Sequence, residues 1–439
     1  MKLKAGGWVL WLGLSVSVSA MDGPPPPPRA AFVRVQNGGF FRGTKPYRFA
    51  GTNLWYGMNL GADGAGADRA RLSRELDRLV AMGVTNLRVL GASEGPDTEP
   101  YRIVPAMQPA PGVFEESVLR GLDFLLAEMG RRSLTAVVCL NDFWHWSGGM
   151  AQYRRWASGL FIPYPPPAFG GDWDIFGKFS AGFFDDAKAQ TMAERSLRAV
   201  VTRRNTLTGV AYVDDPTIMA WELANEPRGM EKPQSLNRWI GSTSALLKTL
   251  DPHHLVTTGS EGETPNAHYA GVDFAANHGF PAIDFATAHI WAQNWGWYDP
   301  QKPETYDAAL AKVKAYFQDH VLKAQALHKP LVIEEFGLSR DLGKMDPNTS
   351  AAVRERYYAE LFNLGYESAK AGSPLAGMNF WAWAGEARPP RPGQYWRKGD
   401  PWLGDPPHEP QGWYSVYDSD RMTVAVISDF ARKMQSLEK

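Results

Sequence analysis

The chain holds one cysteine, Cys139, in 439 residues. That count excludes an internal disulfide framework, and no cysteine pair is available to hold a metal. Charge of neither sign dominates. The formal net charge is −1, so no global field favours nucleic acid or an acidic membrane surface. No apolar run long enough to span a bilayer follows the first 20 residues. The His-Glu-x-x-His pattern of zinc hydrolases is missing, and the His253–His254 pair precedes an apolar strand without the ligand set of a zinc site. Gly259-Ser260-Glu261 is not a Gly-x-Ser-x-Gly elbow, which disfavours a serine hydrolase. Neither a metal nor a cofactor is expected.

Aromatic residues, by contrast, are abundant: 17 Trp, 16 Tyr and 21 Phe. Packing alone favours Phe and Leu, because a buried indole needs a partner for its N–H. So many tryptophans imply a cleft that stacks flat amphipathic ligands such as sugar rings. With 44% hydrophobic and 21% charged residues, the rest is ordinary for a globular protein with a substantial core.

The first 20 residues have the pattern of an export signal. Lys2 and Lys4 supply the positive end, Trp8 to Val18 the apolar stretch, and Val18-Ser19-Ala20 a small-residue cleavage site. Residues 21–30 form a proline-rich spacer, and 31–439 a single catalytic domain. The mature chain is expected to be secreted or periplasmic, off the membrane, monomeric, and partnered by a polysaccharide or oligosaccharide.

The domain opens with a hairpin, in which Phe32–Val35 and Phe40–Arg42 flank an Asn37-Gly38 turn. Apolar strands then alternate with amphipathic helices. Strands are predicted at 48–54, 84–90, 134–140, 217–224, 254–259, 284–290, 330–335 and 376–382. Leu72, Leu76, Leu79 and Val80 fall on one helix face, with Gly83 set to end the helix. Val118, Leu122, Leu125, Leu126 and Met129 mark a second face. Two more run through Tyr306–Val321 and Val353–Leu364. Eight such repeats are the number that closes a (β/α)8 TIM barrel. A doubly wound sheet would instead carry a glycine-rich phosphate turn after the first strand, and Gly51-Thr52-Asn53-Leu54-Trp55 is not one. The long aromatic connections 141–184, 291–303 and 384–420 all follow strands, on the face where barrel active sites lie.

Two strands end in carboxylates. Ile218-Met219-Ala220-Trp221-Glu222-Leu223-Ala224-Asn225-Glu226-Pro227 closes the fourth, and Leu331-Val332-Ile333-Glu334-Glu335-Phe336-Gly337 the seventh. A pair of this kind suits glycoside hydrolysis, in which one carboxyl protonates the leaving oxygen and the other attacks the anomeric carbon. Glu222, four residues deeper, reads as a buried partner of a basic group. By alternation Glu334 points away from Glu335.

These two segments, "WELANEPRG" and "VIEEFG", resemble the signature strands of glycoside hydrolase family 5. The resemblance implies that Glu226 is the acid/base and Glu335 the nucleophile. It further implies that Arg88 of "NLRVL" holds the nucleophile ionised and that Asn225 binds the substrate 2-hydroxyl. His289 of "TAHIW" matches the family's histidine after the sixth strand, and Trp381 of "NFWAW" its platform under the sugar. The family often has tyrosine where this chain has Trp291, whose indole N–H is expected to substitute. Trp144 is a further candidate for sugar binding. "GTNLWYG", "LNDFWHWSGGMAQYRRW", "TGSEG" and "HIWAQNWGW" resemble the endo-β-1,4-mannanase branch, implying cleavage of internal bonds of mannan, glucomannan or galactomannan. An endo-β-1,4-glucanase, an exo-β-mannosidase and a catalytically silent carbohydrate-binding barrel remain the alternatives. An acid at neutral pH needs a raised pKa, so the environment of Glu226 is expected to push it up and Arg88 to lower Glu335.

Overall fold

A computed structural model of the chain describes residues 31–64 and 66–438. The export signal and the proline-rich spacer lie outside the described residues. Among those described, eight parallel strands form the central sheet: β1 (Phe49–Asn53), β2 (Asn86–Leu90), β3 (Thr135–Cys139), β4 (Ile218–Glu222), β5 (Leu255–Thr257), β6 (Ala286–Ile290), β7 (Leu331–Phe336) and β8 (Leu375–Phe380). Each coincides with a predicted strand. The ladder runs β5-β4-β3-β2-β1-β8-β7-β6, so β1 pairs with β8. Backbone bonds beyond the strand ends carry the ring across the β5–β6 gap. Asp284 N donates to Val256 O at 2.8 Å, and His289 N to Glu261 O at 3.0 Å. The architecture is the expected (β/α)8 barrel.

The helices follow their apolar faces. In α1 (Arg69–Ala81), Leu72, Leu76 and Leu79 are buried, and the Asp68 side chain caps the Arg71 N–H. Val80, assigned to the same face by spacing, is instead 41% exposed; its position falls at the stripe's edge, turned towards solvent. Gly83 ends the helix at φ +83°, where a Cβ would sit 2.9 Å from the Ala431 side chain. All five core positions predicted for α2 (Glu116–Arg131) are fully buried. Each such leucine contributes about 1.5–3 kcal/mol relative to an exposed one.

The predicted hairpin forms, Val33–Gln36 against Gly39–Arg42, and plugs the N-terminal end of the barrel. There Val33, Phe40 and Tyr47 share a cluster with Phe49, Val137 and Phe285. His254 belongs to this structural end. Its Nδ1 lies 2.5 Å from Asp251 Oδ2 and its Nε2 2.9 Å from Asp215 O. Cys139 is free and buried, as its apolar run predicts. At the opposite end, connection 141–184 carries two short helices, Gly149–Ser158 and Trp173–Ala181. Connection 384–420 doubles back through a small sheet of Trp383–Gly385 with Val416–Tyr417.

Candidate active site

The strand ends converge as barrel geometry requires. After β4 the chain turns sharply. Glu226 adopts φ +48°, its N–H donates to Gly259 O at 2.9 Å, and Pro227 follows. A left-handed conformation is costly for a side chain other than glycine, so it is held by its surroundings, and such residues cluster at functional sites. Glu226 and Glu335 are 7% and 3% exposed, buried beneath the long loops.

Arg88, at the centre of β2, organises the floor. Its Nε and Nη2 donate to Glu222 Oε2 and Oε1 at 2.7 and 2.6 Å, so Glu222 is the buried partner of a basic group that its position implied. Nη1 donates to Glu335 Oε1 and, at 3.1 Å, to Asn53 Oδ1. Nη2 reaches Asn225 Oδ1 at 2.8 Å. Asn225 in turn donates through Nδ2 to Asp142 Oδ1 at 3.1 Å, which fixes its amide orientation. The planar guanidinium fork explains why arginine is needed: lysine would offer one point charge for five acceptor oxygens.

Alternation misplaces Glu334. Its register against β6 shifts between Ile333 and Glu335, so the period of two breaks there. Glu334 is fully buried, with Oε2 3.9 Å from both Arg88 Nε and His289 Nε2. Burial and the charge of Glu222 raise its carboxyl to about 7.

His289 links the two candidate carboxylates. Its Nδ1 lies 2.7 Å from Glu226 Oε1 and 3.3 Å from Glu335 Oε2. One oxygen of each glutamate and one histidine nitrogen all fall within 4.8 Å of one another, a spacing that would also suit a metal. Each carboxylate nevertheless has its own N–H donor besides the histidine: Trp144 on Glu226, and Arg88 with Trp291 on Glu335.

The resting proton is not where the sequence reading put it. Burial pushes Glu226 up, but the hydrogen bond and charge of His289, with Arg228 beyond, bring it down to about 2. Burial pulls His289 down, but the charge of Glu335 and the bond to Glu226 raise it to about 10. Glu335 is raised by burial against the opposing charges of His289 and Arg88. The three groups titrate together, with the shared proton resting on His289 beside Glu226. Consumption of the Glu335 charge would remove the largest influence raising His289 and release that proton towards Glu226.

This arrangement has a testable consequence. The raised His289 stabilises the fold below roughly pH 6.5 and loses that contribution as pH rises through about 10. The depressed Glu226 stabilises it above roughly pH 4.5 and loses that contribution as pH falls through about 2. In His289→Asn the proton must sit on Glu226 itself. The alkaline limb of the kcat/KM profile is therefore expected to move to lower pH, with the acid limb little changed. A profile superimposable on the parent's would refute the shared proton.

The indoles divide the remaining work. Trp291 Nε1 donates to Glu335 Oε2 at 3.1 Å, the substitution expected at this position. Trp381, at the end of β8, packs edge-on to Trp291 at 6.0 Å. It lines a cavity of about 10 Å³ with Asn53, Trp55, Arg88, Trp146 and Asn225. Trp144 reaches the other carboxylate. Its Nε1 donates to Glu226 Oε2 at 2.8 Å, Arg228 lies over its ring at 4.6 Å, and Phe176 stacks parallel to it at 6.2 Å. Its ring is partly buried, and its N–H orients a carboxylate. Sequence reasoning missed Asn53, Asp142 and Arg228. The first two sit at or just past strand ends like Asn225, a positional signal available beforehand.

A family model described as "GH family 5 beta-mannosidase-like" matches residues 30–439. The chain belongs to glycoside hydrolase family 5. It is similar to mannan endo-1,4-beta-mannosidase 1 of Oryza sativa subsp. japonica, 33% identical over 80% of this chain and 78% of the relative. Among solved structures it is similar to a family 5 mannosidase from Rhizomucor miehei, with TM-score 0.87 and 39% identity, covering 94% of this chain and 99% of that one. A glutamate-to-alanine variant of that mannosidase was solved in complex with mannosyl-fructose. The endo-beta-1,4-mannanase from Thermotoga petrophila, 23% identical with TM-score 0.65 over 90% of this chain and 78% of that one, shares the fold. As a family member the chain is a glycoside hydrolase.

Proposed function

We propose that this glycoside hydrolase cleaves internal β-1,4-mannosidic bonds of mannan, glucomannan or galactomannan with retention of configuration. The observation that carries the mechanism is the approach of Glu226 and Glu335 to within 4.8 Å. Retaining enzymes hold their carboxyls about 5–5.5 Å apart, whereas inverting ones leave about 6.5–9.5 Å for a water. Glu335, fixed by Arg88, Asn53 through that arginine, and Trp291, attacks the anomeric carbon. Glu226 delivers the proton held at His289 to the leaving oxygen, then activates water against the glycosyl-enzyme. Asn225 takes the 2-hydroxyl, and the face of Trp381 supports the ring. Mannose as the sugar rests on the names of the rice and Rhizomucor relatives.

Exo-β-mannosidase action is the second reading. It is favoured by the burial of both carboxyls and by the Rhizomucor mannosidase. Incubation with mannan, glucomannan and a soluble cellulose derivative, following reducing ends and product sizes, separates these readings. Activity confined to the cellulose derivative would refute mannan hydrolysis, and release of monosaccharide alone would refute internal cleavage. Export rests on the charged, apolar and small-residue pattern of residues 1–20.

A further inference from the structure

Away from the sugar cleft, a cavity of about 150 Å³ opens between the helices Ala187–Val201 and Pro233–Leu250. It lies on the helix side of the barrel wall. Leu140 follows β3, and Leu223 follows β4 directly after Glu222. Glu222 points inward to Arg88, so by alternation Leu223 points out to the helices. Leu140, Leu197, Leu223, Trp239 and Leu246 supply the apolar wall. Trp239 packs edge-on to Phe183 at 6.0 Å and tilted against Phe184 at 5.4 Å, which fixes its ring. An apolar cavity of about this size takes a single benzene ring, so volume limits a guest to one ring.

The polar groups in the lining narrow the guest further. Gln190 spends its Nε2 on Phe183 O and Phe184 O at 3.0 and 2.8 Å, which leaves Oε1 as an acceptor. Asn141 spends its Oδ1 on Asp142 N at 2.8 Å, which leaves Nδ2 as a donor. Trp239 is 6% exposed, yet its indole N–H has no acceptor among the described residues. A buried indole ordinarily has one. One acceptor and two donors left over on an apolar wall match a ring with a single hydroxyl, which both gives and receives. A pyranose carries a hydroxyl on most of its carbons and would leave several of them unpaired against leucine. Glu194 is the one charged residue in the lining, and it disfavours an anionic ring such as benzoate.

We propose that this cavity is a second ligand site, for a one-ring phenol, separated from the two glutamates by the wall of β3 and β4. Nothing in it depends on which sugar the cleft takes. Asn141 belongs to both places, since its carbonyl also accepts from Asn225 N at 2.9 Å, so the test leaves that residue unaltered.

Phenol and benzene are titrated by calorimetry into the parent chain, Gln190→Met and Thr243→Trp. Thr243 is a half-buried lining residue, and tryptophan there fills the cavity. The parent is expected to bind phenol with a Kd of about 1 mM or below. Benzene is expected to bind about 3–10-fold more weakly, the range of one net hydrogen bond. Gln190→Met keeps the volume and drops the acceptor, so it is expected to bring phenol towards the affinity of benzene and to leave benzene unchanged. Thr243→Trp is expected to weaken both guests at least about 10-fold by overfilling the site. Its turnover of an aryl glycoside is expected to stay at the parent's value, which shows the barrel intact. Unchanged phenol affinity in Thr243→Trp would put the guest elsewhere, the sugar cleft included, and would overturn the proposal. Equal affinities for phenol and benzene in the parent, or a parent Kd for phenol above about 20 mM, would overturn it as well.

Discussion

Glu335→Ala is expected to abolish turnover of every glycoside, lowering kcat by at least ~10,000-fold while the fold persists. The size of the effect follows from what the carboxylate does in a double displacement. It forms the bond that replaces the glycosidic one, and no neighbour is placed to repeat that. Glu334 is its sequence neighbour, yet its carboxyl faces Arg88 Nε and His289 Nε2 at 3.9 Å, on the floor beneath the site. Glu222 is held in the guanidinium fork at 2.6 and 2.7 Å. Alanine at 335 also removes the charge that most raises His289, so the proton store beside Glu226 weakens at the same time. Steady-state rates with an aryl mannoside and with mannan, together with a thermal melt, are the measurements. Residual turnover above a few per cent with either substrate would remove Glu335 from the nucleophile role.

Glu226→Ala is expected to split its effect by leaving group. On mannan, or on a phenyl mannoside, protonation of the leaving oxygen is needed and kcat/KM should fall by about 100- to 10,000-fold. On a dinitrophenyl mannoside the leaving group departs without a proton, so the glycosyl-enzyme still forms and its hydrolysis becomes rate-limiting. Azide, which needs no general base, should then restore turnover and yield the β-mannosyl azide, the configuration that a second inversion produces. The same substitution leaves Trp144 Nε1 and His289 Nδ1 without the oxygens they hold at 2.8 and 2.7 Å. Equal, unrescued loss on all three substrates would overturn the division of roles between the two glutamates.

How much of this site could be read before the fold was known depended on strand ends. Glu226, Glu335, Arg88, Asn225, His289 and Trp381 all lie within a few residues of the C-terminal end of an apolar run, where barrel geometry gathers side chains. Trp291 was legible as the departure from the family pattern, and its N–H does face Glu335. Glu222 was legible as a buried partner of a basic group, because a carboxylate deep in an apolar strand must be paired. Glu334 was not, because a register shift is a property of two strands together and leaves no mark on the alternation of one. The hydrogen bond from Trp144 to Glu226 was not legible for a related reason. An aromatic loose in a loop and one packed against Arg228 and Phe176 look alike in sequence.

What the sequence determined by itself is the barrel and the pair of glutamates at the ends of its fourth and seventh strands. Local periodicity sets each element, and the count of elements sets closure. What only the tertiary structure decided is where the proton rests and what surrounds the sugar. Protonation depends on the summed charges of groups far apart in the chain: His289, Glu226, Glu335 and Arg88 come from four different strands or the turns that follow them. Connection 384–420 is held by contacts remote in sequence, Trp55 Nε1 to Gly404 O and Tyr414 against Trp291. Distances of that kind arise only once the chain has closed on itself.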